Sequence, residues 1–440
     1  MIRLEKCIED RWLMMKKLVI SMPILFLVLS LCFPSTSLGA SSLQARINQA
    51  SKGDVIVLAE GEYEEAVVIS KPITLEGNGN VVIRSCSGEP VIEVKGKDVK
   101  LKHVKVEQCS KGEDTTAILV KGSGHQLSDI GIQTNGFGVQ LKDAKKVTIE
   151  DSKIQGVHVE NGIDLWKSKG NTLRNNTIRN VQDGFYLEQS DSNLIINNSI
   201  QHARYGMHLM FSDRVTLEGN TSEQNTSGVM IMEAKKTTVK GNNLSINNEN
   251  VHSQGMLLYH AYNSNISGNL ISSNRVGIFV EEAEQNVFAQ NEIKGNFIGI
   301  QFLKSKENDL EKNSFLGNVN DAQAIGSSNN SIEENYWDSS QKLDIKRNGE
   351  SAIPYTADPF FLSLTNDVPE YQLFFQAPGM IFLQKLLKSP EESLLIDHHP
   401  LMEITTKQEG TGNSRGVIWL ISAVMIGGST ILFMVGRKQQ

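Results

Sequence analysis

The sequence predicts an all-β fold, a right-handed parallel β-helix with coils of about 22 residues, and three observations lead to it. Glycine-led apolar motifs recur at steps of 22, 22, 22, 27, 22 and 22 residues. An Asn follows each of these glycines by fourteen residues. The segments between them alternate apolar and polar residues without helical periodicity. We expect right-handed coils, because parallel crossovers are overwhelmingly right-handed.

The repeat has two fixed points in each coil, a glycine and an asparagine, and both suit turns with unusual backbone angles. The motifs are "GIDL" at Gly162, "GFYL" at Gly184, "GMHL" at Gly206, "GVMI" at Gly228, "GMLL" at Gly255, "GIFV" at Gly277 and "GIQF" at Gly299. The asparagines are Asn176, Asn198, Asn220, Asn242, Asn269, Asn291, Asn313 and Asn335. Asparagines stacked in this way are expected to form side-chain ladders.

The first 40 residues are predicted to be an export signal. Lys16 and Lys17 precede an apolar run, and small residues follow at Ser37, Gly39 and Ala40. Translation from Met14 or Met15 would fit the same signal. The rest of the chain is therefore expected to be exported.

Residues 41–345 are predicted to form the β-helix, with a short amphipathic segment at 43–51 as an N-terminal capping helix. Cys86 and Cys109 are 23 residues apart, and Ile83 and Val106 show the same offset. The cysteines should therefore lie on neighbouring coils, either as a disulfide or as two buried thiols.

Residues 346–404 break the repeat and are expected to be an irregular or helical C-terminal capping segment. Residues 405–416 form a polar, glycine-rich linker. Residues 417–436 lack charge and are long enough to cross a bilayer, and the 437–440 tail begins with Arg437 and Lys438. This pattern predicts a body outside the cytoplasmic membrane, anchored by one C-terminal helix with a cytoplasmic tail.

The middle of the solenoid carries His and Met where outward-facing residues are expected. Positions one and three after each glycine are apolar, so positions two and four should face outward. In two adjacent coils these positions hold His208, Met210, Met230 and Met232. The residues that flank them are aromatic or apolar: Trp166, Tyr186, Leu257, Tyr259 and Phe279. Either a further segment covers this face, or the face is an exposed patch that binds a partner or a metal.

If the patch binds a metal, its chemistry favours copper. Thioether sulfur prefers Cu(I), and imidazole suits either oxidation state. His260 follows Tyr259 near the same face and joins the predicted ligands. The "DHHPLM" segment offers His398, His399 and Met402 as a weaker second copper site, and a plain surface turn remains open for it. Zinc is disfavoured, since no Cys or His cluster has zinc spacing.

Two other classes of function remain possible for a solenoid of this kind. Polysaccharide lyases, epimerases and hydrolases need clustered outer carboxylates, whereas Asp164, Glu188 and Glu281 are separated by the coils that bear Met and His. A purely structural surface spike would not need those coils. The net charge of −7, without a basic block, argues against a nucleic-acid partner.

Several segments resemble the NosD family, the extracytoplasmic β-helix proteins of nitrous-oxide reductase maturation. The similarity rests on "GMHLMFSDRVTLEGN" at 206–220, "GVMIM" at 228–232, "ENYWD" at 334–338, "IPYTADPFF" at 353–361, "LLKSPE" at 386–391 and "DHHPLM" at 397–402. The coil repeat occurs in many β-helices, whereas the Met and His coils together with the "HPLM" tail are more specific.

The resemblance implies a non-enzymatic role in assembling the copper sulfide centre of nitrous-oxide reductase. It further implies that the protein has four partners: an ABC-type ATPase, the membrane subunit of that transporter, a copper chaperone and the reductase itself. The predicted C-terminal membrane span departs from the family's usual pattern. A cell-surface protein that processes or binds polysaccharides remains the alternative.

Overall fold

The computed structural model describes residues 42–111, 114–358, 377, 379, 382 and 394–404. Within these residues, no helix has the length and apolar character needed to cross a membrane. The predicted export signal, the linker and the predicted C-terminal anchor lie outside the described residues. The predicted β-helix falls almost wholly within them.

Nearly all regular structure is short β-strand, in keeping with the alternating pattern. The solenoid strands are β1 Val55–Leu58, β2 Gly61–Tyr63, β3 Val67–Ile69, β4 Thr74–Gly77, β5 Val81–Ser85, β6 Ile92–Val94, β7 Lys100–Gln108, β8 Thr116–Val120, β9 Gln126–Thr134, β10 Phe137–Lys142, β11 Thr148–Glu150, β12 Lys153–Gln155, β13 Ile163–Trp166, β14 Thr172–Arg174, β15 Thr177–Glu188, β16 Leu194–Ile196, β17 Ser199–Met210, β18 Thr216–Glu218, β19 Thr221–Glu223, β20 Ser227–Met232, β21 Thr238–Lys240, β22 Asn243–Ser245, β23 Gln254–Tyr259, β24 Asn265–Ser267, β25 Leu270–Ser272, β26 Val276–Glu281, β27 Val287–Ala289, β28 Glu292–Lys294, β29 Ile298–Leu303, β30 Asp309–Glu311, β31 Ser314–Leu316, β32 Asn320–Ile325, β33 Ser331–Glu333 and β34 Tyr336–Trp337.

The strands stack into three parallel ladders that run along the solenoid. Ladder 1 contains β3, β6, β8, β10, β13, β15, β17, β20, β23, β26, β29 and β32. Ladder 2 contains β1, β4, β7, β9, β11, β14, β16, β18, β21, β24, β27, β30 and β33. Ladder 3 contains β2, β5, β7, β9, β12, β15, β17, β19, β22, β25, β28, β31 and β34. The predicted parallel β-solenoid is confirmed, with about 13 turns.

The apolar positions of each motif line a continuous core. Phe185, Leu187, Met207 and Leu209 are fully buried, as the alternation predicts. A Cβ added to Gly184 would lie 2.4 Å from the Gly206 carbonyl oxygen. Glycine therefore recurs in the motif because the backbone of the next coil leaves no room for a side chain.

The predicted asparagine ladder is present and joins successive coils. The Asn176 backbone N–H donates to Asn198 Oδ1 at 2.8 Å, and Asn198 repeats this bond to Asn220 at 2.9 Å. The pattern continues to Asn335, whose N–H donates to Asp397 Oδ2 at 2.9 Å. Asp397 thus occupies the place that the next asparagine would take.

One coil is five residues longer than its neighbours and still keeps the common register. Ser245 pairs with Glu223 before the extra residues, and Gln254 pairs with Ser227 after them. The additional length lies in the corner between β22 and β23, where ladder 3 leads into ladder 1. Extra residues are accommodated there because the loop projects away from the rungs.

Separate elements close the two ends of the solenoid. Helix α1, Leu43–Gln49, begins after the Ser42 N-cap and buries Leu43 and Ile47; it lies within the segment 43–51 expected as a capping helix and ends two residues earlier. At the other end, β35 Tyr355–Ala357 pairs antiparallel with β36 Leu395–Asp397. Trp337 is buried, with its ring stacked between Phe315 at 4.2 Å and Tyr355 at 4.0 Å.

The structure joins Cys86 and Cys109 in a disulfide, with a Cα–Cα distance of 4.7 Å. The two residues lie directly after β5 and β7, which pair in ladder 3. The bond therefore links neighbouring coils near the N-terminal end. Of the two states that the sequence left open, the structure has the disulfide.

Candidate functional site

The outward face of ladder 1 brings the predicted His and Met residues into register. Tyr186 pairs with His208, and His208 pairs with Met230 on the next strand. Met210 pairs with Met232 in the neighbouring column. Because neighbouring strands are about 4.8 Å apart, His208 and the three methionines occupy one compact area. We call these four residues the His–Met cluster.

His208 lies in the column that the alternation predicts to face outward, but it is only 5% exposed. The rings of Tyr186 and Tyr205 contact its imidazole edge-on, at centroid distances of 5.1 and 4.9 Å. Met210, Met230 and Met232 are half-buried. His208 is therefore not freely exposed, because two tyrosine rings lie against its imidazole.

A buried carboxylate holds His208 in place. Asp183 is completely buried, and its Oδ2 lies 2.8 Å from His208 Nδ1. Arg204 donates to both oxygens of the same carboxylate, from Nε at 2.9 Å and from Nη2 at 2.8 Å. Burial alone would raise the pKa of Asp183, but the hydrogen bonds from His208 and Arg204 outweigh it and lower the pKa below its usual value. Asp183 is thus a fixed negative charge beneath the imidazole.

Asp183 and Arg204 cannot be identified from the alternating pattern, because strict alternation fails at the glycine. Asp183 pairs with Tyr205 and Phe185 pairs with Met207, whereas Gly184 between them has no partner in this register. The pairing is interrupted there, and the Asp183 carboxylate reaches the imidazole of His208. A polar residue directly before the motif glycine is the signal that would have identified Asp183.

The second imidazole nitrogen of His208 has no partner. Nε2 is buried, and no polar atom of the described residues lies within hydrogen-bonding distance of it. Since a carboxylate only accepts hydrogen bonds, Nδ1 carries the proton, and a neutral ring presents its lone pair at Nε2. Metal-binding histidines commonly donate their other N–H to a carboxylate in this way.

Asp164 lies one coil before Tyr186, paired with it in ladder 1. Its carboxylate accepts a hydrogen bond from Asn161 at 3.0 Å. Burial raises the pKa of Asp164 to about 6, and the negative charges of Glu188 and Asp183 add to that effect. The Tyr186 hydroxyl lies 3.0 Å from Glu188 Oε2 and 3.3 Å from Met210 Sδ, which connects this acidic pair to the His–Met cluster.

The predicted flanking residues surround the cluster on the same face. Trp166 is exposed, and Lys167 Nζ lies 4.0 Å from its ring centroid. Tyr186, Leu257, Tyr259 and Phe279 are half-buried. Leu257 and Phe279 extend the column of Met230, and Tyr259 extends that of Met232. Their role in partner binding stays a prediction.

His260 is engaged elsewhere. Its Nδ1 lies 3.0 Å from Glu233 Oε1 and its Nε2 lies 2.6 Å from Glu282 Oε2. Its ring stacks on Tyr259 at 4.2 Å. The hydrogen bonds to Glu282 and then Glu233 raise the pKa of His260. Both ring nitrogens of His260 are bound to carboxylates. Contrary to our prediction, His260 therefore does not join the His–Met cluster.

The "DHHPLM" segment closes the C-terminal end of the solenoid. Asp397 accepts hydrogen bonds from Asn335 and from Trp337 Nε1, the latter at 2.9 Å. His399 pairs with Glu350 at 3.3 Å, and the Met402 N–H donates to the Gly349 carbonyl at 2.9 Å. Across the described residues, no three His, Cys, Asp or Glu side chains group as a metal site. The contacts of Asp397, His399 and Met402 are those of a cap, and a copper site at His398, His399 and Met402 stays a prediction.

In fold the chain is similar to the mannuronan C-5 epimerase AlgE6 A-module of Azotobacter vinelandii, with a TM-score of 0.61 and 16% identity over 68% of this chain and 94% of that one. It is also similar to a PL6 alginate lyase, with a TM-score of 0.51 and 15% identity over 68% of this chain and 83% of that one. At these identities the likeness concerns the fold alone.

Two comparisons of sequence bear on the family of the chain. The chain is 25% identical over 151 residues to a cell surface glycoprotein of Methanothermus fervidus, covering 33% of this chain and 26% of that protein. A model of the family "Periplasmic copper-binding protein (NosD)" matches residues 47–202 and 153–353, which include the whole His–Met cluster. The chain belongs to the NosD family of periplasmic copper-binding proteins.

Proposed function

We propose that this protein is an exported copper-handling subunit that holds Cu(I) at the His–Met cluster during assembly of the copper sulfide centre of nitrous-oxide reductase. The observation that carries the proposal is the buried Nε2 of His208, which lacks a partner while Asp183 engages the opposite nitrogen. The family's description as copper-binding supports the choice of metal.

The donor set suits Cu(I) better than harder ions. His208 would supply one imidazole nitrogen, and Met210, Met230 and Met232 would supply soft thioether sulfurs. Asp183 keeps the proton on Nδ1 and so keeps Nε2 free to bind. The rings of Tyr186 and Tyr205 limit the access of water to the imidazole. Flexible methionine side chains allow the ion to enter and to leave.

The proposed partners are those that the resemblance to the family implies. We propose that the protein works with an ABC-type ATPase and its membrane subunit. A chaperone would deliver copper to it, and it would transfer the copper to nitrous-oxide reductase. The outward aromatic residues Trp166, Tyr259 and Phe279 flank the cluster and are candidates for these contacts. The family's periplasmic character supports an exported body, and we propose that a C-terminal helix anchors it.

Anaerobic Cu(I) titration against a competing chelator tests the proposal. A triple variant, Met210→Leu, Met230→Leu and Met232→Leu, should bind Cu(I) at least tenfold more weakly, since even the loss of a supporting contact costs about 10–100-fold. Met207→Leu with Met256→Leu is the matched control, because both methionines lie in the same ladder but face the core. X-ray absorption of the bound copper should show sulfur ligands in the wild type.

The same variants separate copper binding from docking. If the triple variant binds Cu(I) as the wild type does but fails to support reductase maturation, the cluster is a protein-docking surface. If it binds copper and supports maturation normally, the proposal is wrong. If the core control loses affinity equally, the effect arises from altered packing.

Polysaccharide processing is a second candidate because a buried acid lies beside the cluster. Asp164, with a pKa of about 6, is suited to proton transfer near neutral pH. However, a sugar ring is far larger than a metal ion and does not reach the buried Nε2 of His208 as a substrate of a general base would. We expect no cleavage or epimerisation of acidic polysaccharides, with or without calcium. Activity abolished by Asp164→Ala or Glu188→Ala would favour this second candidate.

A further inference from the structure

A groove of about 810 Å³ runs over the early coils of ladder 3. Its centre is Gly131, which pairs with Lys105 on one side and with Lys153 on the other. A Cβ added to Gly131 would reach only the Lys105 side chain, at 3.4 Å. The glycine therefore leaves a shallow saddle between two lysines that are two rungs, or about 10 Å, apart.

The groove carries positive charge that is not neutralised. Lys105, Lys153 and Arg179 line it and are exposed, and none of them has an acidic partner among the described residues. Glu107 also lines the groove, but it lies 3.7 Å from Arg84. Glu62 lies at the N-terminal end. The central and C-terminal parts of the groove are thus positively charged on a protein whose net charge is −7.

Four aliphatic residues that line the groove, Val82, Val106, Ile132 and Ile154, are buried, so the exposed part of the remaining lining is made of hydrogen-bonding groups. Gln133 and Gln155 follow each other in one column, and Thr177 continues the column of Gly131 and Lys153. No aromatic side chain lines this groove within the described residues. Single-stranded nucleic acid is bound with aromatic stacking platforms, and protein docking sites have an apolar centre, so neither class of partner fits well.

We propose that this groove binds an acidic glycan, a chain of carboxylate-bearing sugars that lies along the solenoid axis. Lys105, Lys153 and Arg179 would each face a carboxylate, while the amides and the threonine hydroxyl bind sugar hydroxyls. The saddle at Gly131 accepts a sugar ring. The groove lies on ladder 3 and the His–Met cluster on ladder 1, so this site is independent of the copper proposal.

Isothermal titration of the full-length protein with an oligogalacturonate tests the proposal. The wild type should bind it, with affinity that falls as salt rises, and should not bind a neutral cello-oligosaccharide of equal length. Lys105→Gln, Lys153→Gln and Arg179→Gln combined should weaken binding at least tenfold. A second variant, Gly131→Leu, should weaken it by filling the saddle without changing any charge.

A control for the loss of three positive charges combines Lys146→Gln, Lys236→Gln and Lys240→Gln. These three lysines are exposed and lie outside the groove. This control should bind like the wild type, and all variants should keep the wild-type melting temperature and Cu(I) affinity. Equal losses in the control and the groove variant would overturn the proposal. So would normal binding by Gly131→Leu, or binding of a phosphodiester polymer without binding of the oligogalacturonate.

Discussion

At the scale of single residues, the central feature is one carboxylate shared by an arginine and a histidine. Asp183 is fully buried and accepts hydrogen bonds from Arg204 and from His208 Nδ1. This arrangement fixes the ring orientation and the position of its proton. It leaves Nε2 as the one nitrogen of His208 available to a metal.

We predict that Asp183→Asn weakens Cu(I) binding by about 10–100-fold, because an amide no longer fixes the proton on Nδ1. Chelator competition measures this affinity. Asp191→Asn is the matched control, since Asp191 pairs with Lys169 and Arg214 in a turn away from the cluster. Unchanged affinity in Asp183→Asn would show that the carboxylate does not support a metal ligand.

Asp164 leads to a prediction on pH. Its folded pKa of about 6 lies above the unfolded value, so its contribution to stability is present at low pH and is lost as pH rises through about 6. Asp164→Asn removes this cost and should be more stable than the wild type at pH 7.5, by up to about 3 kcal/mol. Chemical denaturation at pH 4.5 and 7.5 measures the difference. An equal effect at both pH values would contradict the assigned titration.

Alternation and register allowed the outward positions of His208, Met210, Met230 and Met232 to be predicted from sequence. The burial of His208 could not be predicted, because it depends on how the rings of Tyr186 and Tyr205 pack across coils. Asp183 was missed since the backbone at Gly184 breaks the two-residue period. Local irregularity at the glycine thus determines the chemistry of the cluster.

At the scale of elements, the asparagine ladder holds the turns of successive coils together. Asn220 illustrates the pattern: its N–H donates to Asn242, its Nδ2 to the Ile195 carbonyl, and its Oδ1 accepts from Asn198. Each internal asparagine therefore satisfies buried polar groups above and below it. The repeat period predicted this ladder, because the fourteen-residue offset is constant.

We predict that Asn220→Ala destabilises the protein by several kcal/mol, since each buried polar group left without a partner costs about 1–3 kcal/mol. Denaturant unfolding measures the loss. Asn248→Ala is the control, because Asn248 is exposed and makes a single bond of 3.3 Å to the Ser273 carbonyl. Comparable losses in both variants would mean that the ladder contributes little.

The end of the ladder could not be predicted from the repeat. Asp397 lies 62 residues after Asn335, in a segment without the coil period. From the sequence, the His and Met residues of "DHHPLM" suggested either a second copper site or a plain surface turn, whereas the hydrogen bonds of Asp397 are those of a cap. Only the folded chain shows that the aspartate takes the position of a missing asparagine.

At the scale of the whole molecule, the solenoid behaves as a one-dimensional stack. Each coil contacts its neighbours, so disturbances should remain local. Three coils, those of β23, β26 and β29, lie between the His–Met cluster and the last coil, which the cap at Asp397 covers. The cap should therefore influence the final coils and leave copper binding intact.

We predict that Asp397→Ala increases hydrogen exchange in residues 331–337, where Asn335 and Trp337 lose their acceptor. Exchange in residues 206–232 and the affinity for Cu(I) should stay at wild-type values. His398→Ala with His399→Ala is the companion variant and should preserve both the cap and copper binding. A lower Cu(I) affinity in that double variant would show that the "DHHPLM" segment binds copper.

The long coil between Asn242 and Asn269 has a consequence for evolution and engineering. Its extra residues leave every rung in register because they enter at a corner. Length at that corner is therefore free to vary, while a single residue inserted within a rung would reverse the inside and outside faces. The corner is therefore a suitable place to attach another peptide. Val251 lies there and is 70% exposed. A peptide tag or a small reporter domain inserted beside it would lie outside the solenoid, next to the proposed metal-binding coils.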